Sequence, residues 1–149
     1  MAEKHRTLLA PWGVFSHVVY GSESFKPVND NYGHEIGDVV LKQFSNRLIE
    51  LSRVEDILIR LGGDEFIVIL NELGHDQVTA VKSLQAATAR YQDRLNQKYQ
   101  IEQLQLDVPP SIGSVIIDGS ELDPDTLIKQ ADHMMYEIKQ RNKAALRAR

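Results

Sequence analysis

The spacing of apolar residues divides the first half of the chain into strands and helices. Residues 13–20 are rich in Val and aromatic residues and precede turn-forming residues, which predicts a first strand. From Ile36 to about Ser52, apolar residues recur every three or four positions, which predicts an amphipathic helix. We expect the polar stretch Phe25–Asp38 to form the loop that opens this helix.

The second half predicts a hairpin, two further helices and two further strands. Two apolar runs, 57–59 and 66–70, flank Gly62-Gly63, which is typical of a β-hairpin with a tight glycine turn. Helical spacing predicts helices over 75–97 and 124–139, the latter with Asp123 as its N-cap. The β-rich runs 101–108 and 111–117 meet at Pro109-Pro110 and predict two strands. The pattern indicates one α/β domain with a mostly antiparallel sheet covered by helices.

Composition narrows the function classes. The chain has 149 residues, 42% of them hydrophobic and 26% charged, which fits one globular domain. Its net charge is −4 and no long basic run occurs, which argues against binding of DNA, RNA or an anionic membrane. The absence of cysteine excludes thiolate metal sites and cysteine nucleophiles, and no apolar stretch could span a bilayer. We expect a soluble cytoplasmic chain.

The predicted hairpin carries two acidic residues at its tip. In Arg60–Phe66, RLGGDEF, Asp64 and Glu65 follow the glycine pair, while the arms are otherwise apolar. Taken alone, this pattern favours a type I′ turn whose acids are merely solvated. The alternative is a functional site, which the loop before the first long helix makes more attractive.

That loop concentrates residues suited to a nucleotide. Phe25–Asp38 contains Lys, Asn, His and Asp side chains just before a helix, whose N-terminus favours an anion. An amide and a carboxylate can together read a guanine edge, and Lys and His can bind phosphate. The alternative is helix capping beside an exposed loop.

Together the two segments resemble the GGDEF family of diguanylate cyclases, which join two GTP molecules into cyclic di-GMP and release two pyrophosphates. The resemblance runs from about Phe25 to Lys143 and includes FKPVNDNYGHEIGD, RLGGDEF, SIG at Ser111 and ADHMMYEIK at Ala131. It implies a palm-like α+β domain over residues 25–143, with an atypical N-terminal segment, 1–24, and a basic tail, 144–149.

The resemblance also implies roles for single residues. Asn29 and Asp38 match the residues that read guanine, and Lys26 and His34 match residues near the triphosphate. Asp64 and Glu65 match the carboxylates that hold Mg²⁺ or Mn²⁺ and are, with Lys26, the implied catalytic residues. The remaining implied substrate-binding residues are Phe25, Gly62, Gly63, Lys139 and Lys143. Lys143 stands where the family has an arginine, so bidentate phosphate binding is lost there.

A second site is implied by Arg53-Val54-Glu55-Asp56, which stands where the family has its RxxD inhibitory motif. The resemblance implies that Arg53 and Asp56 bind cyclic di-GMP away from the catalytic face and give feedback inhibition. The alternative is a helix-terminal arginine paired with a neighbouring acid.

The start of the chain departs from the family. The family's first strand ends in an Asp-x-Asp pair whose first acid coordinates both metals, and these positions are Gly21 and Glu23 here. Glycine supplies no ligand. Glu23 is one methylene longer than Asp and is expected on the same strand face two residues further on, as a doubtful metal ligand.

Three functions are therefore open. The first is a diguanylate cyclase that is active as a homodimer. In this case we expect the chain to be the cytoplasmic fragment of a larger sensor protein. The second is a degenerate GGDEF domain that acts as a receptor for cyclic di-GMP or GTP, which Gly21 favours. The third is an oligomerisation domain without a ligand, which the many ligand-type residues disfavour.

Overall fold

A computed structural model describes residues 12–19, 22–71 and 73–118, together with isolated residues between 125 and 144. The described elements follow one another in the order β1 (Trp12–Val19), α1 (Ser22–Tyr32), α2 (His34–Leu51), β2 (Ile57–Gly62), β3 (Glu65–Leu70), α3 (Gln77–Leu95), β4 (Tyr99–Ile101), β5 (Leu104–Leu106) and β6 (Ser111–Asp118). The predicted first strand, hairpin, long helix and strand after the prolines are confirmed, with ends that differ by a few residues.

The central sheet has the strand order β2-β3-β1-β6, and all its neighbouring strands are antiparallel. This confirms the predicted α+β class with a mostly antiparallel sheet. β1 is an inner strand, because it pairs with β3 on one side and with β6 on the other. Val19, at the end of β1, lies opposite both Glu65 and Ser111. The ends of these three strands therefore share one end of the sheet.

One hydrophobic core joins the three helices to one face of the sheet. β3 contributes alternate side chains to it, as expected for a strand with one face against helices. The core members with no measurable exposure come from the helices, β3 and β4: Val40, Phe44, Leu48, Val68, Ala80, Leu95 and Tyr99. The α2 ring of Phe44 packs against Phe66 of the hairpin, with ring centroids 5.5 Å apart. This contact fixes the hairpin relative to α2.

The expected loop over Phe25–Asp38 is wrong, because the segment folds as α1 and the start of α2 with only Gly33 between them. Pro27 and the polar residues favoured a loop in the sequence. Val28 is buried in the core, and Phe25 and Ile36 pack against the core. The burial of these side chains stabilises the helix by more than the loss of the hydrogen bond that Pro27 cannot make.

The expected single strand over 101–108 is also wrong, because β4 and β5 form a short separate hairpin. The chain reverses at Glu102, whose φ of 53° lies in the left-handed region. No Gly, Asn or Asp marks this turn in the sequence, so the reversal could not be recognised. The prolines lie between β5 and β6, as predicted.

The helix predicted over 75–97 is confirmed as α3 and begins at a side-chain cap. The Asp76 carboxylate accepts hydrogen bonds from the Thr79 backbone N–H and hydroxyl, both at 2.8 Å. These bonds to the charged form, the backbone bond first, lower the pKa of Asp76 below its usual 3.8. The cap therefore operates throughout the neutral range.

The last predicted helix, 124–139, lies largely outside the described residues, and so do Asp123, Lys139 and Lys143. The isolated residues described between 125 and 144 are helical and exposed.

Candidate functional site

The hairpin tip presents adjacent acidic residues on a tight turn. Gly62 pairs with Glu65, which leaves Gly63 and Asp64 as the two turn residues. Gly63 has a φ of 50°, and Glu102 is the only described non-glycine residue with positive φ, so Asp64 keeps an ordinary backbone. A type II′ turn requires positive φ at its first central residue only, whereas a type I′ turn requires it at both. The turn is therefore of type II′, and the type I′ interpretation is wrong.

Arg60 stabilises the hairpin tip, a role that its place in the sequence did not predict. Its Nε and Nη2 donate hydrogen bonds of 3.0 and 2.7 Å to the Gly63 carbonyl, and its guanidinium lies 5.8 Å from the ring centroid of Phe66. The register shifts between Arg60 and Gly62, and such a bulge re-aims the residues beyond it. The signal in the sequence was an arginine three positions before the turn glycine.

The amide of Asn29 lies at the contact between α1 and α2. A Cβ built on Gly37 would lie 2.9 Å from the Asn29 Cγ and 3.4 Å from the Phe25 Cζ. Gly37 is buried and Asn29 is half-buried, so the amide lies directly against the backbone of α2. Asp38 follows Gly37 in the chain. The structure therefore places Asn29 against the turn of α2 that carries Asp38.

The ligand-type side chains around this contact are available. Lys26, His34 and Asp38 are exposed. Neither these three side chains nor the Asn29 amide has a hydrogen bond or ion pair with any other described residue. Gly33, the N-cap of α2, makes no side-chain capping bond. His34 is the first residue of α2, so its exposed side chain lies at a helix N-terminus, which favours an anion.

The hairpin tip and α1 are close in the fold. Glu65 lies opposite Val19, and α1 begins at Ser22. Three residue steps can span about 10 Å, so α1 starts near the end of the sheet that carries the tip. Asp64 and Glu65 are thereby placed at the same end of the molecule as the start of the helix that carries Lys26 and Asn29.

The hairpin tip supplies two of the oxygen ligands that a hard divalent cation needs. Asp64 and Glu65 are both half-buried and supply the carboxylate oxygens that Mg²⁺ prefers, while waters and phosphate oxygens usually complete its shell. Within the described ranges, no three acidic or histidine residues cluster as a complete metal site. Glu23 belongs to the first turn of α1, so the expectation that it lies on the first strand is wrong.

Arg53 and Asp56 form a compact corner between α2 and the hairpin. The Asp56 side chain, 1% exposed, accepts hydrogen bonds from the backbone N–H of Arg53 at 2.8 Å and of Asn71 at 3.4 Å. Arg53 donates to the Asn71 carbonyl at 3.0 Å and lies 3.5 Å from a Glu55 carboxylate oxygen. Asp56 is therefore engaged internally, while Arg53 stays 45% exposed.

Comparison with protein families matches residues 14–145 to the family described as "Diguanylate cyclase, GGDEF domain". The chain belongs to the GGDEF family. The GGDEF domain of PA1120 (YfiN or TpbB) from Pseudomonas aeruginosa has the same fold, with a TM-score of 0.75 and 25% identity over 94% of this chain and 81% of that one. The palm-like fold expected from the resemblance is confirmed.

Two curated relatives illustrate the range of the GGDEF family. The probable diguanylate cyclase DgcT of Escherichia coli (strain K12) is 34% identical over 127 residues, which are 84% of this chain and 27% of DgcT. The cyclic di-GMP phosphodiesterase PdeR of the same strain is 30% identical over 118 residues, or 79% of this chain and 17% of PdeR. The chain thus spans less than a third of either relative.

Among its described helices, none has the length and apolarity to cross a membrane.

Proposed function

We propose that this GGDEF domain is a diguanylate cyclase that condenses two GTP molecules into cyclic di-GMP as a homodimer. The observation that carries the proposal is the RLGGDEF hairpin, braced by Arg60, with its acids at the end of the sheet where α1 begins. Family membership supports cyclic di-GMP chemistry, and the available side chains of α1 and α2 support nucleotide binding.

Each half of the proposed site has a role that its chemistry suits. Asn29 and Asp38 bind guanine, because an amide and a carboxylate complement its donors and acceptor. Lys26 and His34 bind the triphosphate beside the N-terminus of α2. Asp64 and Glu65 would hold Mg²⁺ or Mn²⁺, which supplies charge stabilisation at the phosphates when bound.

The homodimer follows from the reaction. One domain binds one GTP, and the 3′-hydroxyl oxygen of each nucleotide attacks the α-phosphorus of the other, so two phosphodiester bonds form and two pyrophosphates leave. The two nucleotides must face each other, which one site cannot achieve. Two copies of this chain therefore meet with their hairpin tips facing one another.

The test is incubation of the chain with GTP and Mg²⁺ over a range of chain concentrations, with the products separated by chromatography. We expect cyclic di-GMP, and we expect the rate per chain to rise with chain concentration until the dimer is saturated. A rate per chain that is independent of concentration from the dilute limit upward would contradict assembly during the reaction.

A degenerate receptor is the second candidate function, and two observations favour it. Gly21 stands at the family position of a metal-binding Asp, and PdeR, a relative of this chain, is named a phosphodiesterase. Binding of GTP or cyclic di-GMP without any turnover in the same incubation would select this function over synthesis.

We further propose that Arg53 and Asp56 form the inhibitory product site. The Arg53 side chain is 45% exposed, so a phosphate or guanine can reach its guanidinium beside its contacts with Asn71 and Glu55, and Asp56 positions it by accepting a hydrogen bond from the Arg53 backbone N–H. Arg53→Ala should relieve inhibition, measured within each variant as the ratio of rates with and without added cyclic di-GMP. We expect at least about a tenfold weaker inhibition, the usual value of one charge-assisted contact. Unchanged inhibition in Arg53→Ala would place the product elsewhere.

A further inference from the structure

The backbone conformation of Gly37 does not require a glycine. Gly33, Gly62 and Gly63 have positive φ and open space around the missing side chain, so their conformation explains them. Gly37 lies inside α2 without positive φ, where alanine would favour the helix more than glycine does. The reason for glycine at this position must lie in what surrounds it.

The nearest neighbour of Gly37 is the side chain of Asn29, which is predicted to bind guanine. A Cβ on Gly37 would overlap the Asn29 Oδ1, approach the Cγ to 2.9 Å and touch the Phe25 ring only at an ordinary 3.4 Å. The Asn29 backbone cannot easily withdraw, because its carbonyl accepts a 2.9 Å hydrogen bond from the Gly33 N–H. An added methyl group would therefore displace the amide and leave the Phe25 ring almost undisturbed.

We propose that Gly37 is a positioning residue: its missing side chain holds open the space in which the Asn29 amide lies against α2, beside Asp38. The proposal rests on the proposed function, since it assigns the amide to guanine. Asn29 can hold this place without competing bonds, because no other described residue pairs with its side chain. Gly37 thus sets the preference for guanine over adenine without touching the base.

The experiment is a double-mutant cycle between Gly37→Ala and Asn29→Ala, read by binding of fluorescent GTP and ATP analogues and by melting temperature. Gly37→Ala alone should weaken GTP-analogue binding at least about tenfold and reduce the preference over the ATP analogue. In the Asn29→Ala background the overlap is gone, so adding Gly37→Ala should change neither affinity and should leave the melting temperature equal or higher.

Asn46→Ala is the matched control, because Asn46 is exposed on the same helix. It should keep both the affinity and the base preference. The inference is overturned if Gly37→Ala retains the base preference, or if it lowers the melting temperature equally with and without Asn29. Failure of the unaltered chain to bind the GTP analogue would contradict the proposed function, and the melting temperatures would still decide the coupling between Gly37 and Asn29.

Discussion

Asp64→Ala should reduce cyclic di-GMP synthesis by about 100-fold or more. Divalent cations contribute several kcal/mol of charge stabilisation to phosphoryl chemistry, and each ~1.4 kcal/mol is a factor of ten in rate. The substitution removes one of two adjacent carboxylates at the hairpin tip. Because Asp64 has no positive φ, alanine fits the same turn and the fold should persist. Product formation from GTP and Mg²⁺, quantified by chromatography, measures the effect.

Asp93→Ala is the control for the loss of one acidic residue, because Asp93 is exposed on α3, away from the hairpin. It should retain the activity of the unaltered chain. Asp64→Asn removes the charge and keeps the shape of the side chain: we expect a folded chain and a large loss of synthesis. Full activity in Asp64→Asn would show that the carboxylate charge is not required and would contradict the assignment of Asp64 as a metal ligand.

Phe44→Ala should lower the free energy of unfolding by about 3–5 kcal/mol, the usual cost of deleting a buried aromatic side chain. Phe44 is fully buried and its ring packs against Phe66. Whole domains are stable by only about 5–15 kcal/mol, so much of the stability would be lost. Urea unfolding followed by circular dichroism measures the change, and the packing against Phe66 should make the hairpin the region most affected.

Two further variants calibrate this result. Phe44→Leu keeps most of the buried volume and should cost clearly less than Phe44→Ala. Val54→Ala alters a fully exposed side chain in the turn after α2 and should change the free energy of unfolding by less than about 0.5 kcal/mol. If Phe44→Ala costs no more than Val54→Ala, the α2–hairpin contact does not stabilise the domain.

The fold could be predicted where burial and turn chemistry agree in the sequence. The hairpin around Gly62 follows from two apolar runs and a glycine pair, and the long helix α2 follows from its apolar spacing. Prediction failed where tertiary contacts outweighed local signals. Val28 is buried in the hydrophobic core, which stabilises a helix in a segment that contains Pro27, and the turn at Glu102 carries no turn residue.

The candidate site also contains residues that could be predicted from the sequence and residues that could not. Asn29, Asp38 and the acids of RLGGDEF could be identified from their chemistry and from the family resemblance. Arg60 and Gly37 could not, because their importance depends on neighbours in space: the Gly63 carbonyl for Arg60 and the Asn29 amide for Gly37. Residue type and spacing do not reveal that a missing Cβ faces a particular side chain.

The inner position of β1 also constrains the order in which the chain can fold. β2 and β3 adjoin in sequence and can pair within microseconds, as hairpins do. β1 has its partners in β3 and in β6, and the latter begins only at Ser111. Closing such long loops is slow, and during synthesis β1 leaves the ribosome long before β6 is made. The nascent chain therefore carries an incomplete sheet until nearly the whole domain has emerged.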